Sequence, residues 1–209
     1  ESGMEIIFQY SGRQFSIPLR VEGYFQAMNI LCAAGLAIAS GSPSEKVFEH
    51  LKDLRPIPGR LEFCGLSKAE AKIYVDYAHT PDALTAALFS LRELTENNII
   101  LVFGCGGGRD RFKRPIMGEI AENFADGIII TDDNPRNEDS DKIRKSILEN
   151  CPSAIEIPNR KEAIIMAINQ GEKGDSILIA GKGHEKFQII DDKKIPFSDQ
   201  DIIREVIGN

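Results

Sequence analysis

From Leu61 onward, short apolar runs alternate with segments of helical length, and this alternation narrows the fold more than any other feature of the sequence. The runs are Ile73 to Val75, Ile99 to Phe103, Gly127 to Thr131, Ala154 to Ile157 and Ser176 to Ile179. Between them lie helical patterns at Pro81 to Thr95, Pro115 to Phe124, Ser140 to Asn150 and Arg160 to Asn169. Crossovers of that length join parallel rather than antiparallel strands. The spacing predicts an α/β fold, a Rossmann-like doubly wound and mostly parallel sheet. After Lys182 the pattern changes. Phe187 to Ile190, the turn Asp191-Asp192-Lys193 and Lys194 to Phe197 predict a terminal hairpin, a place for an antiparallel strand, before a final helix from Asp199.

The opening segment follows a different grammar. Ile6 to Gln9 and Phe15 to Leu19 flank Ser11-Gly12-Arg13 as a hairpin, a helix runs from about Phe25 to Ser40 with Gly41 as its stop, and Pro43 and Ser44 open a second helix through Leu54. One hairpin and two helices make a poor independent core. Residues 1–58 are therefore expected to be a small α+β remnant of a larger domain, and 59–209 a domain of their own. The joint, Arg55 to Glu62 with Pro58-Gly59 at its centre, is expected to act as a hinge.

Composition excludes some classes of function. With 209 residues, 42% of them hydrophobic, the chain can bury an ordinary core. A net charge of -7 argues against a general nucleic-acid or membrane-surface binder, which would need a basic face. No apolar run approaches the ~20 residues of a membrane span, and the start ESGMEIIFQY has no signal-peptide pattern, so a cytoplasmic protein is expected. Cys32, Cys64, Cys105 and Cys151 form no CxxC pair, which suggests reduced structural thiols.

In a sheet of this kind ligands bind beyond the carboxyl ends of the strands. Four strand ends are unusually polar: Asp76 to Asp82, Gly104 to Pro115, Thr131 to Arg136 and Gly181 to Glu185. Each alone reads as an ordinary turn rich in Gly, Asn and Asp; four on one edge point to a site. GCGGGRDRFKRP offers main-chain N–H groups without Cβ obstruction, followed by Arg109, Arg111, Lys113 and Arg114, and suits an anion. The rival reading is a dinucleotide fingerprint, in which Gly104 and Gly106 fit, Arg109 replaces the third glycine, and Asp132 or Asp133 would take the ribose. His79 and His184 have no nucleophile at a recognisable spacing, so a positioning role suits them better than a catalytic one. Asp132, Asp133 and Glu185 could form a magnesium site, yet no GxxxxGK[ST] occurs in the sequence, so the chain is not a self-contained ATPase.

DYAHTPDAL, GCGGGRDRFKRP, DNPR and GKGHE, in that order and spacing, resemble the Mur ligases, in particular the branch that joins a diamino acid to UDP-N-acetylmuramoyl-L-alanyl-D-glutamate. The resemblance runs from Gly23-Tyr24-Phe25 and Asn29 through Pro58 to Glu62 and on to the last helix. It implies the end of a central P-loop ATPase domain followed by the whole C-terminal, amino-acid-binding domain of a peptidoglycan-synthesis enzyme. In that family ATP phosphorylates the glutamate side chain and an amine attacks the acyl phosphate, assisted by Mg²⁺ and a carbamylated lysine of the central domain. By resemblance Asn29, Arg60, Asp76, Tyr77 and His79 border the ATP, while Arg109, Asp133, Asn134, Pro135, Arg136, Gly181 and Glu185 hold meso-diaminopimelate. The chemistry agrees: an arginine can grip the distal carboxylate through two parallel hydrogen bonds, Asp133, Asn134 and Glu185 can accept from the ammonium, and Gly181 lets the backbone approach. The DNPR tetrad favours diaminopimelate over lysine. Gln26 and Gly108 depart from the family's usual asparagine and acidic residue. The resemblance implies a monomer with small-molecule substrates, no catalytic or metal-binding residue within these 209 residues, and no turnover by them alone. The alternatives are a lysine-adding Mur ligase, a stand-alone binding module and a dinucleotide-binding oxidoreductase.

Overall fold

A computed structural model describes residues 3–191 and 193–208. Glu1 and Ser2, at the start of the stretch read for a signal peptide, and Asp192, in the expected terminal turn, lie outside the described residues. The chain forms two compact units that part between Ile57 and Pro58. Among the described residues no helix is long and apolar enough to cross a membrane.

The first unit begins with strands β1 (Met4–Tyr10) and β2 (Arg13–Leu19), antiparallel with Tyr10 opposite Arg13. Ser11 and Gly12 between them have φ of 48° and 76°, the two-residue loop whose twist matches that of the flanking strands. Helices α1 (Tyr24–Ala39) and α2 (Ser44–Leu51) follow. The second stops short of the expected Leu54 because Asp53 and Leu54 donate to carbonyls three residues back, a tightened final turn. Ile6, Ile17, Leu19, Phe48 and Leu51 form a small core against the rings of Phe8 and Phe15. Helix α1 remains unsaturated: Tyr24, Met28 and Leu36, on an i, i+4 stripe, are 68%, 42% and 71% exposed.

The second unit is built on a six-stranded sheet of β3 (Glu62–Leu66), β4 (Lys72–Asp76), β5 (Ile99–Phe103), β6 (Gly127–Ile130), β7 (Ile155–Glu156) and β8 (Ser176–Ala180). The spatial order is β3-β4-β8-β5-β6-β7, parallel throughout except for β3. The expected doubly wound, mostly parallel sheet is present, but its antiparallel edge is β3, with a bulge between Phe63 and Gly65, and not the terminal hairpin. That hairpin, β9 (Phe187–Ile190) and β10 (Lys193–Pro196), forms a separate two-stranded sheet. Strands β5 and β8 are buried at every position, as strands covered on both faces must be.

Helices α3 (Pro81–Arg92), α4 (Lys113–Phe124) and α5 (Ser140–Leu148) pack side by side, burying Leu84, Leu88, Met117, Ala121 and Ile147. Helices α6 (Arg160–Gln170) and α7 (Asp199–Ile207) close a core of Ile73, Val75, Val102, Ile177 and Ile179 with Ile164, Ile168 and Ile203. Side-chain caps from Thr80, Asp139, Asn159 and Ser198 start four of the helices. Arg160 and Asp199, both fully buried, join α6 to α7 through two 2.8 Å hydrogen bonds, and Arg160 also donates to the Ala180 carbonyl at the end of β8. Removing one partner of such a pair leaves an uncompensated buried charge. Arg160→Ala is therefore expected to lower the unfolding free energy by about 3 kcal/mol or more in urea titrations, with Arg160→Met/Asp199→Leu recovering most of that loss. A double variant no more stable than the single one would contradict this account.

Candidate functional site

Strands β4, β5, β6 and β8 direct their carboxyl ends to one edge, and the loops leaving them enclose a cavity of about 600 Å³. The loop after β5 lies directly on the loop after β6. Gly107 N donates to Asn134 O at 2.9 Å, and a Cβ on Gly107 would stand 1.9 Å from Pro135 O, one on Gly104 2.0 Å from Thr131 O. Only glycine permits this approach. The glycine run thus serves loop packing: the N–H groups of Gly107 and Gly108, expected to be free for an anion, are engaged by Asn134 O and the Glu138 carboxylate.

The four cations that follow have separate fates. Helix α4 begins at Lys113, two residues earlier than expected, which turns Arg114 inward. Its Nη1 and Nη2 donate to Glu138 at 2.8 and 2.9 Å, and Arg111 joins the same carboxylate at 3.2 Å. The Arg114 hydrogen bonds hold the Glu138 carboxyl far below the usual range, at about 2. Lys113 and Arg109 line the cavity. Lys113 donates to His79 O at 2.5 Å, whereas Arg109 is exposed and makes no hydrogen bond to the described residues.

The loop after β6 places its two aspartates differently. Asp132 is bound by the buried Arg144, which also holds Asp141 and Glu156, so it is not the free acid that a dinucleotide ribose would need. Asp133 and Asn134, both buried, line the cavity, and Asp133 Oδ1 accepts from Asn134 N at 2.6 Å. The three acids considered for magnesium are thus held by three different partner sets. Pro135 is buried against Gly107 and is not on the cavity wall. Arg136 adopts φ 53°, held by Ile189 O and Asp191 N, so hairpin β9–β10 clamps its backbone. Its Nη1 is engaged by Gly107 O and Asn134 O, which leaves Nε and Nη2 as a donor pair beside the cavity. Gly181 has φ 112°, and a Cβ there would meet Asp133 Oδ2 at 2.8 Å.

The sequence reading missed Lys182. It is fully buried, and its ammonium donates to Asn134 Oδ1, Glu185 Oε2 and Phe187 O. Asn134 Oδ1 also accepts from Ile189 N, so Asn134 is not the free acceptor expected of it; its Nδ2 donates to Glu185 Oε2 at 2.9 Å. Burial acts to raise the Glu185 pKa, but the hydrogen bonds from Lys182 and Asn134 outweigh it and hold the carboxyl below its ordinary value. The motif's Glu185 three residues on was the available signal.

Of the residues expected to border a nucleotide, Tyr77 and His79 line the cavity. Arg60 lies 4.9 Å over the Tyr77 ring, which also meets the rings of His79 and His184. Asp76 is not on the cavity wall. Its two oxygens accept from Leu61 N and Ala78 N at 2.6 Å, and burial pushes its pKa up against those bonds. Asn29 belongs to the first unit, where its amide donates to Gln26 at 3.5 Å. Burial pushes the thiols of Cys64, Cys105 and Cys151 up to about 12, so none of the three is ionised near neutrality.

The edge cavity of this α/β domain thus combines guanidinium donors of Arg109 and Arg136 with the held Glu185 carboxylate, an arrangement with the charge pattern to meet a small zwitterion or anion. Residues 59–183 match the model of the Mur ligase glutamate ligase domain, and the chain belongs to the Mur ligase family. It is 49% identical over 95% of its length to the UDP-N-acetylmuramoyl-L-alanyl-D-glutamate--2,6-diaminopimelate ligase of Chelativorans sp. (strain BNC1), and 48% identical over 98% to that of Zymomonas mobilis. It spans 41% and 43% of those two proteins. A solved structure of a ligase of that name superposes over 98% of this chain and 42% of its own, with 34% identity and a TM-score of 0.70. A pseudomurein peptide ligase from Methanothermus fervidus, at 18% identity and a TM-score of 0.69 over the whole of this chain and 40% of its own, shares the fold.

The Glu138 clasp gives a pH signature. The Arg114 hydrogen bonds hold the folded carboxyl down at about 2 against an ordinary value of 4.5, so its contribution to stability is complete above the unfolded value and is lost as pH falls toward 2. Glu138→Gln should reduce stability at neutral pH by on the order of 2 kcal/mol, because Arg114 stays buried without a counter-charge. Urea midpoints of the two proteins should converge between pH 4.5 and 2.5. A gap that does not change with pH would show that the carboxylate's charge is not what matters.

Proposed function

We propose that this chain is the amino-acid-binding part of an ATP-dependent ligase that adds meso-diaminopimelate to UDP-N-acetylmuramoyl-L-alanyl-D-glutamate in peptidoglycan synthesis. In this reading residues 59–209 hold the amino acid and 1–58 end the central ATPase domain. The observation that carries it is the cavity's charge layout: Arg109 and the Nε/Nη2 pair of Arg136 offer donors, and Glu185 offers a carboxylate, around one space of about 600 Å³. Diaminopimelate differs from lysine by a carboxylate on its far carbon, and a planar guanidinium meets a carboxylate with two parallel hydrogen bonds. Asp133 and Glu185 accept from the ammonium beside it, while the other amine attacks the activated glutamate. The exposed apolar stripe of α1 supports the assignment of the first unit, since such a stripe calls for a further layer of the same domain.

On the nucleotide side, Arg60, Tyr77 and His79 offer a ring and cation surface. Asp76 acts through the main chain, fixing the turn that carries Arg60. The phosphates and Mg²⁺ are assigned elsewhere, because these 209 residues contain no GxxxxGK[ST]. The 209-residue chain should accordingly bind meso-diaminopimelate in calorimetry yet release no ADP when given all three substrates. ADP release dependent on the amino acid would overturn the assignment of the phosphate chemistry.

Arg136→Ala removes a charge-assisted partner worth ~2–4 kcal/mol in a desolvated pocket, so diaminopimelate binding should weaken roughly thirty-fold or more. Arg136→Lys should recover only part of it, since one ammonium cannot replace a planar fork. Lysine, which has no distal carboxylate, is the control and should be affected much less. Equal losses for the two amino acids would mean that Arg136 supports the loop and not the ligand.

A further inference from the structure

The proposed chemistry leaves out one charged side chain beneath the pocket. Lys182 is fully buried, and its ammonium donates at 3.0 Å to Asn134 Oδ1, at 2.9 Å to Glu185 Oε2 and at 2.8 Å to Phe187 O. Three acceptors use its three N–H bonds, the condition under which a buried ammonium is tolerated. The consequence falls on its neighbours. Asn134 Oδ1 is addressed by Lys182 and by Ile189 N, so the amide cannot turn over without setting its NH₂ against two donors. Asn134 Nδ2 must then face Glu185 Oε2, which receives both Asn134 and Lys182, while Oε1 accepts from none of the described residues and Glu185 lies on the cavity wall.

We propose that Lys182 is the positioning residue of the amino-acid pocket: it locks the Asn134 amide and the Glu185 carboxylate in the one arrangement that presents Glu185 Oε1 to the ammonium group of a zwitterionic ligand. This rests on the reading of the cavity as an amino-acid site. Lys182 does not touch the ligand; it acts through Asn134 and Glu185. The other charged and titratable groups around the cavity are Asp133 and Arg136 from the loop after β6, Arg109 and Asp110 from the loop after β5, Lys113 at the start of α4, Tyr77 and His79 from the loop after β4, and, near Glu185, Arg160 of α6. Arg160 is committed to Asp199, Lys113 donates to His79 O and Arg136 Nη1 to two carbonyls, so none of these three substitutes for a direct ammonium contact.

The test is Lys182→Met in the 209-residue chain, read by ¹³C NMR titration of the Glu185 carboxyl and by calorimetry with meso-diaminopimelate. The Glu185 midpoint should rise by about one unit or more once its cation is gone. Diaminopimelate affinity should fall about tenfold at pH 7.5 and further toward pH 5.5, where the wild type changes little. A lysine that served the fold alone would lower the melting temperature and leave the Glu185 midpoint and the pH profile of binding unchanged, and that result would overturn the proposal. Should Lys182→Met not fold, Lys182→Gln keeps amide N–H donors without the charge and is read in the same way. If the wild type takes up no diaminopimelate, the amino-acid reading of the cavity fails. The Glu185 titration still decides whether Lys182 sets that carboxylate, an unshifted midpoint counting against it and a shifted one supporting it for whichever ammonium ligand the cavity accepts.

Discussion

The close approach of two main-chain segments, Gly104 to Gly107 against Thr131 to Pro135, is the contact on which the rest of the site depends. Carbonyl oxygens stand where a β-carbon would otherwise be, and the Gly107 N–H joins the two loops at 2.9 Å. Because the loops leave adjacent parallel strands, this contact fixes their mutual height above the sheet. Arg136 then enters from a left-handed backbone conformation that most residues avoid, and Ile189 O and Asp191 N compensate by binding it on both sides. A third segment, the β9–β10 hairpin, is thereby fastened to the same frame. The cavity is the space that these fixed loops leave open.

Beneath the frame, each buried cation is paired with carboxylates or other acceptors, although Arg114 Nε and Arg160 Nη1 are buried with no hydrogen bond to the described residues. Arg160 with Asp199, Arg114 with Glu138, Arg144 with its three carboxylates and Lys182 with its three acceptors each sit at or near a loop or helix start on the carboxyl edge. Isolated, any of these cations would be costly to bury. Paired, they hold loops that have little apolar surface of their own. Asp76 belongs to the same scheme in acidic form: it holds Leu61, at φ 44°, and so the turn that carries Arg60 over Tyr77.

The sequence showed the parallel core because β4, β5, β6 and β8 are short apolar runs set apart by helices, and periodicity reports burial directly. Strand β3 was hidden for the opposite reason: Glu62 to Leu66 is a half-exposed edge interrupted by Gly65, with neither alternation nor an apolar run. Motif spacing placed Arg109, Asp133, Arg136, Gly181 and Glu185 around one space, but residue type could not separate neighbours of the same charge. Arg109 and Arg114, or Asp132 and Asp133, look alike in sequence; a helix that starts two residues early and the alternation of a strand end send one of each pair inward or sideways. Lys182 escaped notice because lysine is ordinarily a surface residue, and only tertiary partners reveal when it is not.

The glycine contacts also bear on how this pocket can diverge. Any side chain at Gly104 or Gly107 drives into a carbonyl, and Gly181 combines a positive φ with a nearby carboxylate, so these positions are closed to mutation while the fold lasts. Asn134 and Lys182 are interlocked and would have to change together. What remains open to drift is a thin layer of side-chain identity, Arg109 above all, since its guanidinium is exposed and has no hydrogen bond to the described residues. A lineage that came to use another amino acid would therefore be expected to keep the backbone of this edge unaltered and to rewrite only the few charges that project from it.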